Sequence, residues 1–133
     1  MGVLLAIVVA GQGLAQSGLG DPPPPIEFDD WKEVGRDNGA IEYSVSFPSA
    51  IASERIENNT VPLVILVPEN AQTPLPVVVV LHYWGAGDLR VERGLAYELN
   101  RRGIAAVIPT LPYHLGRTPS GFRSGELSIQ PDP

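Results

Sequence analysis

The run Val77-Val78-Val79-Val80-Leu81, introduced by Pro76, has no polar member on either face. An antiparallel strand with one wet side alternates apolar and polar residues, whereas a strand covered on both faces, as in a parallel sheet flanked by helices, does not. The run therefore predicts an α/β core. Beyond the loop from His82 to Asp88, Val91, Leu95, Ala96 and Leu99 recur at helical spacing, with Glu98 placed to pair with Arg102. Asp88 is a good N-cap and Gly103 a good C-cap, so the segment predicts a helix of about four turns. Ile104 to Ile108 is a second unbroken apolar run. Strand, helix and strand together predict a right-handed βαβ crossover.

Upstream, Ile41, Tyr43, Val45 and Phe47 alternate with Glu42, Ser44 and Ser46, a period of two that sets one side of a strand on a core. Pro48 ends this pattern, and Ile51 to Ile56 are expected to continue the strand after a bend. Glu57, Asn58, Asn59 and Thr60 form a turn before Val61 to Val67, which completes an antiparallel hairpin. Pro62 lacks an amide donor, which suits an edge strand. Ile26 to Gly39 shows no clear period and reads as irregular lead-in structure, with Trp31 anchored on the domain. Pro109 to Pro133 is rich in Pro, Gly, Ser and Arg and shows no period either.

A length of 133 residues allows one ordinary domain, and 44% hydrophobic with 18% charged residues is a globular composition. The net charge of −6 repels phosphate backbones and anionic membranes, so nucleic acid is not an expected partner. The absence of Cys excludes a disulfide framework, thiolate metal sites and a cysteine nucleophile. With His82 and His114 as the two histidines and no H-E-x-x-H pair, no metal or other cofactor is implied.

The first 20 residues carry no charge, and Val3 to Ala10 is almost purely aliphatic. Gly11, Gln12 and Gly13 interrupt it well short of the about 20 apolar residues a membrane span requires. Gly13-Leu14-Ala15 offers a signal-peptidase site after Ala15, although the usual basic n-region is missing. The expected organisation is a signal peptide at 1–15, a Pro-rich linker at 16–30 containing Pro22 to Pro25, and a domain at 31–133, secreted or periplasmic. The alternative for the leader is a buried N-terminal strand or helix.

In open parallel sheets, ligands bind beyond the carboxyl ends of the strands. The loops His82 to Asp88 and Pro109 to Gly125 occupy such positions. The order of hairpin, buried strand ending in His82-Tyr83-Trp84-Gly85-Ala86, helix, strand leading into Pro109-Thr110-Leu111-Pro112-Tyr113-His114, and then Arg117-Thr118-Pro119-Ser120-Gly121 resembles the N-terminal part of an α/β-hydrolase. The resemblance runs from about Ile41 to Pro133 and is nearest the dienelactone-hydrolase-like and related esterase or peptidase branches. It implies that the first loop carries an H-G-x-G type motif, one of whose backbone N–H groups helps to form an oxyanion hole. His82 matches the motif histidine and Gly85 its later glycine, while Tyr83 replaces the usual second glycine. The implied donor is the Trp84 amide, with Tyr83 as the second choice. His82 itself is expected to bond nearby backbone. His114, Arg117 and Ser120 are implied at the substrate entrance, the alternative being a solvated surface loop.

A G-x-S-x-G nucleophile elbow is absent from the sequence. Ser124, in Gly121-Phe122-Arg123-Ser124-Gly125, has its glycines at the wrong distances and follows no expected strand, and Ser120 fails likewise. No catalytic residue is therefore expected in this chain. The expectation is the N-terminal fragment of a secreted serine hydrolase acting on a small-molecule carboxylic ester or related acyl compound, silent by itself. Without a neighbouring strand, Val77 to Leu81 would leave an open β-branched edge. The rival expectation is a complete, non-enzymatic secreted α/β module that binds a peptide or sheet edge by strand addition. A nucleotide-binding βαβ unit is a third, but Gly85 and Gly87 supply only half of G-x-G-x-x-G, with Arg90 at the third glycine position.

Overall fold

The computed structural model describes residues 28–129. The leader at 1–15 and nearly all of the linker at 16–30 lie outside them. The elements are β1 (Asp29–Asp37), β2 (Ala40–Pro48), β3 (Thr60–Pro68), β4 (Val77–Val79), α1 (Arg90–Asn100) and β5 (Ala105–Pro109), with short 3₁₀ turns at Ile56–Asn58, Leu115–Arg117 and Glu126–Ile129. They form one mixed sheet in the order β1-β2-β3-β5-β4. The expected hairpin is present, with Ile41 opposite Val67 and Val45 opposite Leu63. β5 runs antiparallel to β3 and parallel to β4, and α1 makes the crossover between these last two.

Strand periodicity divides the core between the two faces of the sheet. Along β3, Leu63, Ile65 and Val67 join Val45 on one face, with Tyr43, Phe47 and Val107 packed against them. Leu66 turns to the other face, where it meets Ala106, Ile108 and Val80 beneath Leu89 and Ala96 at and within α1. Ala96 lets the helix approach closely. Asn100 then fastens its far end, its side-chain amide donating to the carbonyls of Leu66 and Ile104 at 3.1 and 2.9 Å. Gly103, at φ +74°, takes the left-handed conformation that turns the chain from α1 into β5.

Several expectations need correction. The stretch from Ile26 to Gly39 contains a nine-residue strand, β1, whose ladder with β2 slips between Asp29 and Lys32 and again between Glu33 and Gly35. Each slip swaps the strand's faces, which erases a period of two from the sequence. Ile51 to Ile56 do not extend β2; they belong to an irregular connection ending in a 3₁₀ turn, and both isoleucines are exposed. Pro62 lies on a central strand, just ahead of the Leu63-to-Leu66 segment that pairs with β5, and its carbonyl accepts the Thr110 amide at 2.9 Å. α1 has 11 residues. Its buried positions are Glu92, Ala96 and Asn100, while Val91 and Leu95 are 69% and 50% exposed.

The all-valine strand is where covering was most expected. It pairs with β5 in parallel as predicted, yet among the described residues it stands at the sheet edge with no second partner. Val77, Val78, Val79 and Leu81 are 39%, 38%, 62% and 60% exposed. Among the described residues, no helix is long and apolar enough to cross a membrane.

Candidate functional site

At the carboxyl end of β4 the Val80 amide still donates to Val107 O at 2.9 Å, and the chain then leaves the sheet. His82 turns inward and is buried. Its Nε2 accepts the Leu111 amide at 3.1 Å, which requires a bare Nε2, so the proton sits on Nδ1 and is donated to Tyr83 O at 3.0 Å. His82 thus bonds nearby backbone and ties the loop after β4 to the loop after β5.

His114 reaches the same place from the other loop. Its ring lies 4.9 Å from that of His82, centroid to centroid, and Nδ1 donates to Pro112 O at 2.8 Å. Its Nε2 is buried without a hydrogen-bond partner among the described residues. Further links join the two loops. The Trp84 indole Nε1 donates to Gly125 O at 3.0 Å. The Ser124 hydroxyl donates to Ala86 O and accepts the Leu115 amide at 3.1 Å.

These ties leave a particular set of groups outward. The Tyr83 and Trp84 side chains are exposed, and neither backbone amide has a hydrogen-bond partner among the described residues. Beside them is an open depression of about 520 Å³, lined by Trp84, Leu111, Pro112, Tyr113, His114, Ser128 and Ile129 and mostly apolar. An unpartnered backbone amide beside an apolar surface is the kind of donor that can receive a developing oxyanion. The serines nearest at hand are already engaged: Ser124 as described, and Ser128 donating to Gly125 O at 2.6 Å.

Five of the residues singled out in the sequence, His82, Tyr83, Trp84, Gly85 and His114, therefore meet in one place. Of these, Trp84 and His114 line the depression, and the other two singled-out residues, Arg117 and Ser120, do not. Ser120 is exposed on the loop surface. Arg117 is buried beneath the loop, where its guanidinium donates to Thr110 O and Asn58 O, each at 2.8 Å. Burial pushes this guanidinium below its ordinary pKa, with Tyr113 opposing the shift. Asn58 completes the arrangement: its Oδ1 accepts the Tyr113 amide at 2.9 Å and its Nδ2 donates to Arg117 O at 3.3 Å. Sequence reasoning placed Asn58 in a turn and missed this role. The run Glu57-Asn58-Asn59-Thr60 carries no signal for it, because its partners lie 55 and 59 residues away.

No protein-family model matches the chain, and no curated protein matches it. Among solved structures, it is similar to a cold-adapted esterase from an Arctic intertidal metagenomic library, at 26% identity and a TM-score of 0.51, covering 67% of this chain and 36% of the esterase. It also matches a glucuronoyl esterase from Solibacter usitatus at 16% identity and a TM-score of 0.48, covering 85% of this chain and 38% of that one. The chain thus covers little more than a third of either esterase's length. The antiparallel strands leading into a parallel βαβ unit form an incomplete, N-terminal part of an α/β-hydrolase sheet.

Proposed function

We propose that this chain is the leading part of a serine ester hydrolase and supplies its oxyanion-binding loop. The observation that carries the proposal is the pair of unpartnered amides at Tyr83 and Trp84, held beyond the carboxyl end of a parallel strand beside an apolar depression. The likeness to a cold-adapted esterase at 26% identity supports ester chemistry. In the complete enzyme, a serine attacks the ester carbonyl, a histidine takes the serine proton and passes it to the leaving alcohol, and the Trp84 amide receives the carbonyl oxygen's charge. Water then hydrolyses the acyl-enzyme. Losing one such donor costs about 2.7 to 4 kcal/mol of transition-state stabilisation.

The sequence holds no G-x-S-x-G, so the serine, its acid and its base come from polypeptide beyond these residues. The uncovered β4 edge supports this, because a flat β-branched edge is a template for aggregation unless another strand pairs with it. Met1 to Ala15 is proposed as an export leader. Residues 16 to 133, purified and given a chromogenic short-chain ester, should show no turnover above a heat-killed control, and clear turnover would overturn the assignment of the nucleophile to other polypeptide. The same edge favours one rival, a non-enzymatic module that binds by strand addition. A soluble, monomeric, cooperatively unfolding preparation of this chain would support the rival, and aggregation the hydrolase.

A further inference from the structure

The residues on either side of His114 are strained. Tyr113 and Leu115 have φ of +62° and +49°, a left-handed region that residues with side chains seldom enter. Such conformations persist only where the surroundings hold them, and they gather at functional sites. Here the surroundings are specific. Asn58 holds the Tyr113 amide, Ser124 holds the Leu115 amide, and the Gly125 amide donates to Tyr113 O at 2.7 Å. The strained segment carries the buried His114 ring to 4.9 Å from that of His82, at the start of the loop with the unpartnered amides.

Gly125 marks the point of contact. A Cβ built there, at φ +80°, would meet His114 Nε2 at 2.5 Å, His114 Cδ2 at 3.1 Å and the Gly85 amide nitrogen at 3.0 Å. The imidazole and the Gly85 amide nitrogen therefore close on the same spot, which has no room for a side chain. The Gly125 carbonyl meanwhile holds the Trp84 indole. We propose that His114, seated against Gly125, is a positioning wedge that fixes the Tyr83 to Gly85 amides, and that residue 125 is glycine because a side chain there would separate the wedge from the loop. The contact geometry stands by itself, whereas the purpose of the fixed amides rests on the ester-hydrolase reading above.

Gly121 provides a matched control. It has φ +88°, yet a Cβ there would meet nothing within 4 Å. Gly121→Ala and Gly125→Ala thus carry the same kind of backbone strain, and only the second carries the collision. In ¹⁵N NMR spectra of the chain, Gly125→Ala should shift the Trp84 indole resonance and the Tyr83 to Gly85 amides, while Gly121→Ala leaves them in place; the Trp31 indole is the internal reference. Adding His114→Asn to Gly125→Ala should return the Trp84 indole toward its original position, because asparagine keeps a donor for Pro112 O but lacks Nε2. Should Gly125→Ala fail to fold, His114→Asn alone should still move the Tyr83 to Gly85 amides and leave those of β2 unchanged. Equal effects from the two glycine variants, an absence of rescue, or unmoved amides in His114→Asn would overturn the wedge. Ester turnover, measured with the polypeptide that supplies the nucleophile, separates the two claims: the stated spectral changes without turnover would sustain the wedge and remove the hydrolase reading.

Discussion

β1, at one edge of the sheet, carries Lys32, Glu33, Arg36 and Asp37 and two slips of register, whereas β4, at the other edge, is three valines with no charge. On the first, Arg36 bridges Glu33 at 2.6 Å and Glu69 at 3.2 Å across the surface. Charges and bulges are how proteins keep an edge from pairing with another chain, and β1 has both. β4 has neither, and Leu81 just beyond it is exposed as well. One edge is made to face water and the other to be covered. The loop proposed to bind the oxyanion grows from the second edge, which under that proposal is where a polypeptide bringing a nucleophile would dock.

That contrast can be broken most forcefully through β5, which lies between β3 and β4. Ile108→Ala should lower the unfolding free energy by about 2 to 5 kcal/mol in urea denaturation, because Ile108 is fully buried under α1. Val79→Ala, at an exposed site on the same sheet, should stay within about 0.5 kcal/mol. A comparable loss at both positions would mean that β4 is already covered. Next in size is the tie beneath the loops. Asn58→Ala strands the Tyr113 amide and removes a donor to Arg117 O, so the same measurement should show a loss of about 1 to 3 kcal/mol.

Edge chemistry itself should register as association more than as stability. Val78→Lys with Val79→Lys should slow aggregation in light scattering, while Glu33→Val with Arg36→Val should hasten it; the opposite ranking would reverse the assignment of the two edges. The smallest expected effect is at the head of α1. The Arg90 side chain and amide bind the Asp88 carboxylate and hold its pKa below the ordinary aspartate range. Its contribution is therefore complete above that range and fades as the pH falls through the lowered value. Protection factors in the first turn of α1, taken relative to intrinsic amide exchange at each pH, should fall in acid, and Asp88→Asn should remove that part of the pH dependence.

The elements that were legible are those whose pattern one physical rule controls. β2 alternates because one of its faces meets the core and the other meets water, β3 follows from an apolar run after a turn, and the βαβ unit shows itself through two unbroken apolar runs separated by helical spacing. β1 was illegible because its slips scramble the alternation. The buried face of α1 was misread for a different reason. Periodicity picks out Val91, Leu95, Ala96 and Leu99; the sheet accepts Ala96 for its small size and Asn100 for its two backbone carbonyl contacts, while Val91 and Leu95 stay exposed. At the site, the loop with Tyr83 and Trp84 could be found from its place after a parallel strand. Asn58, Ser124 and Gly125 could not, since each acts through contacts that only the folded chain brings together.

The most direct test of the central claim is the coding DNA that flanks this reading frame. The account predicts a further apolar strand followed by G-x-S-x-G in the same frame downstream of Pro133. A flanking sequence that closes the frame with no such segment would contradict it.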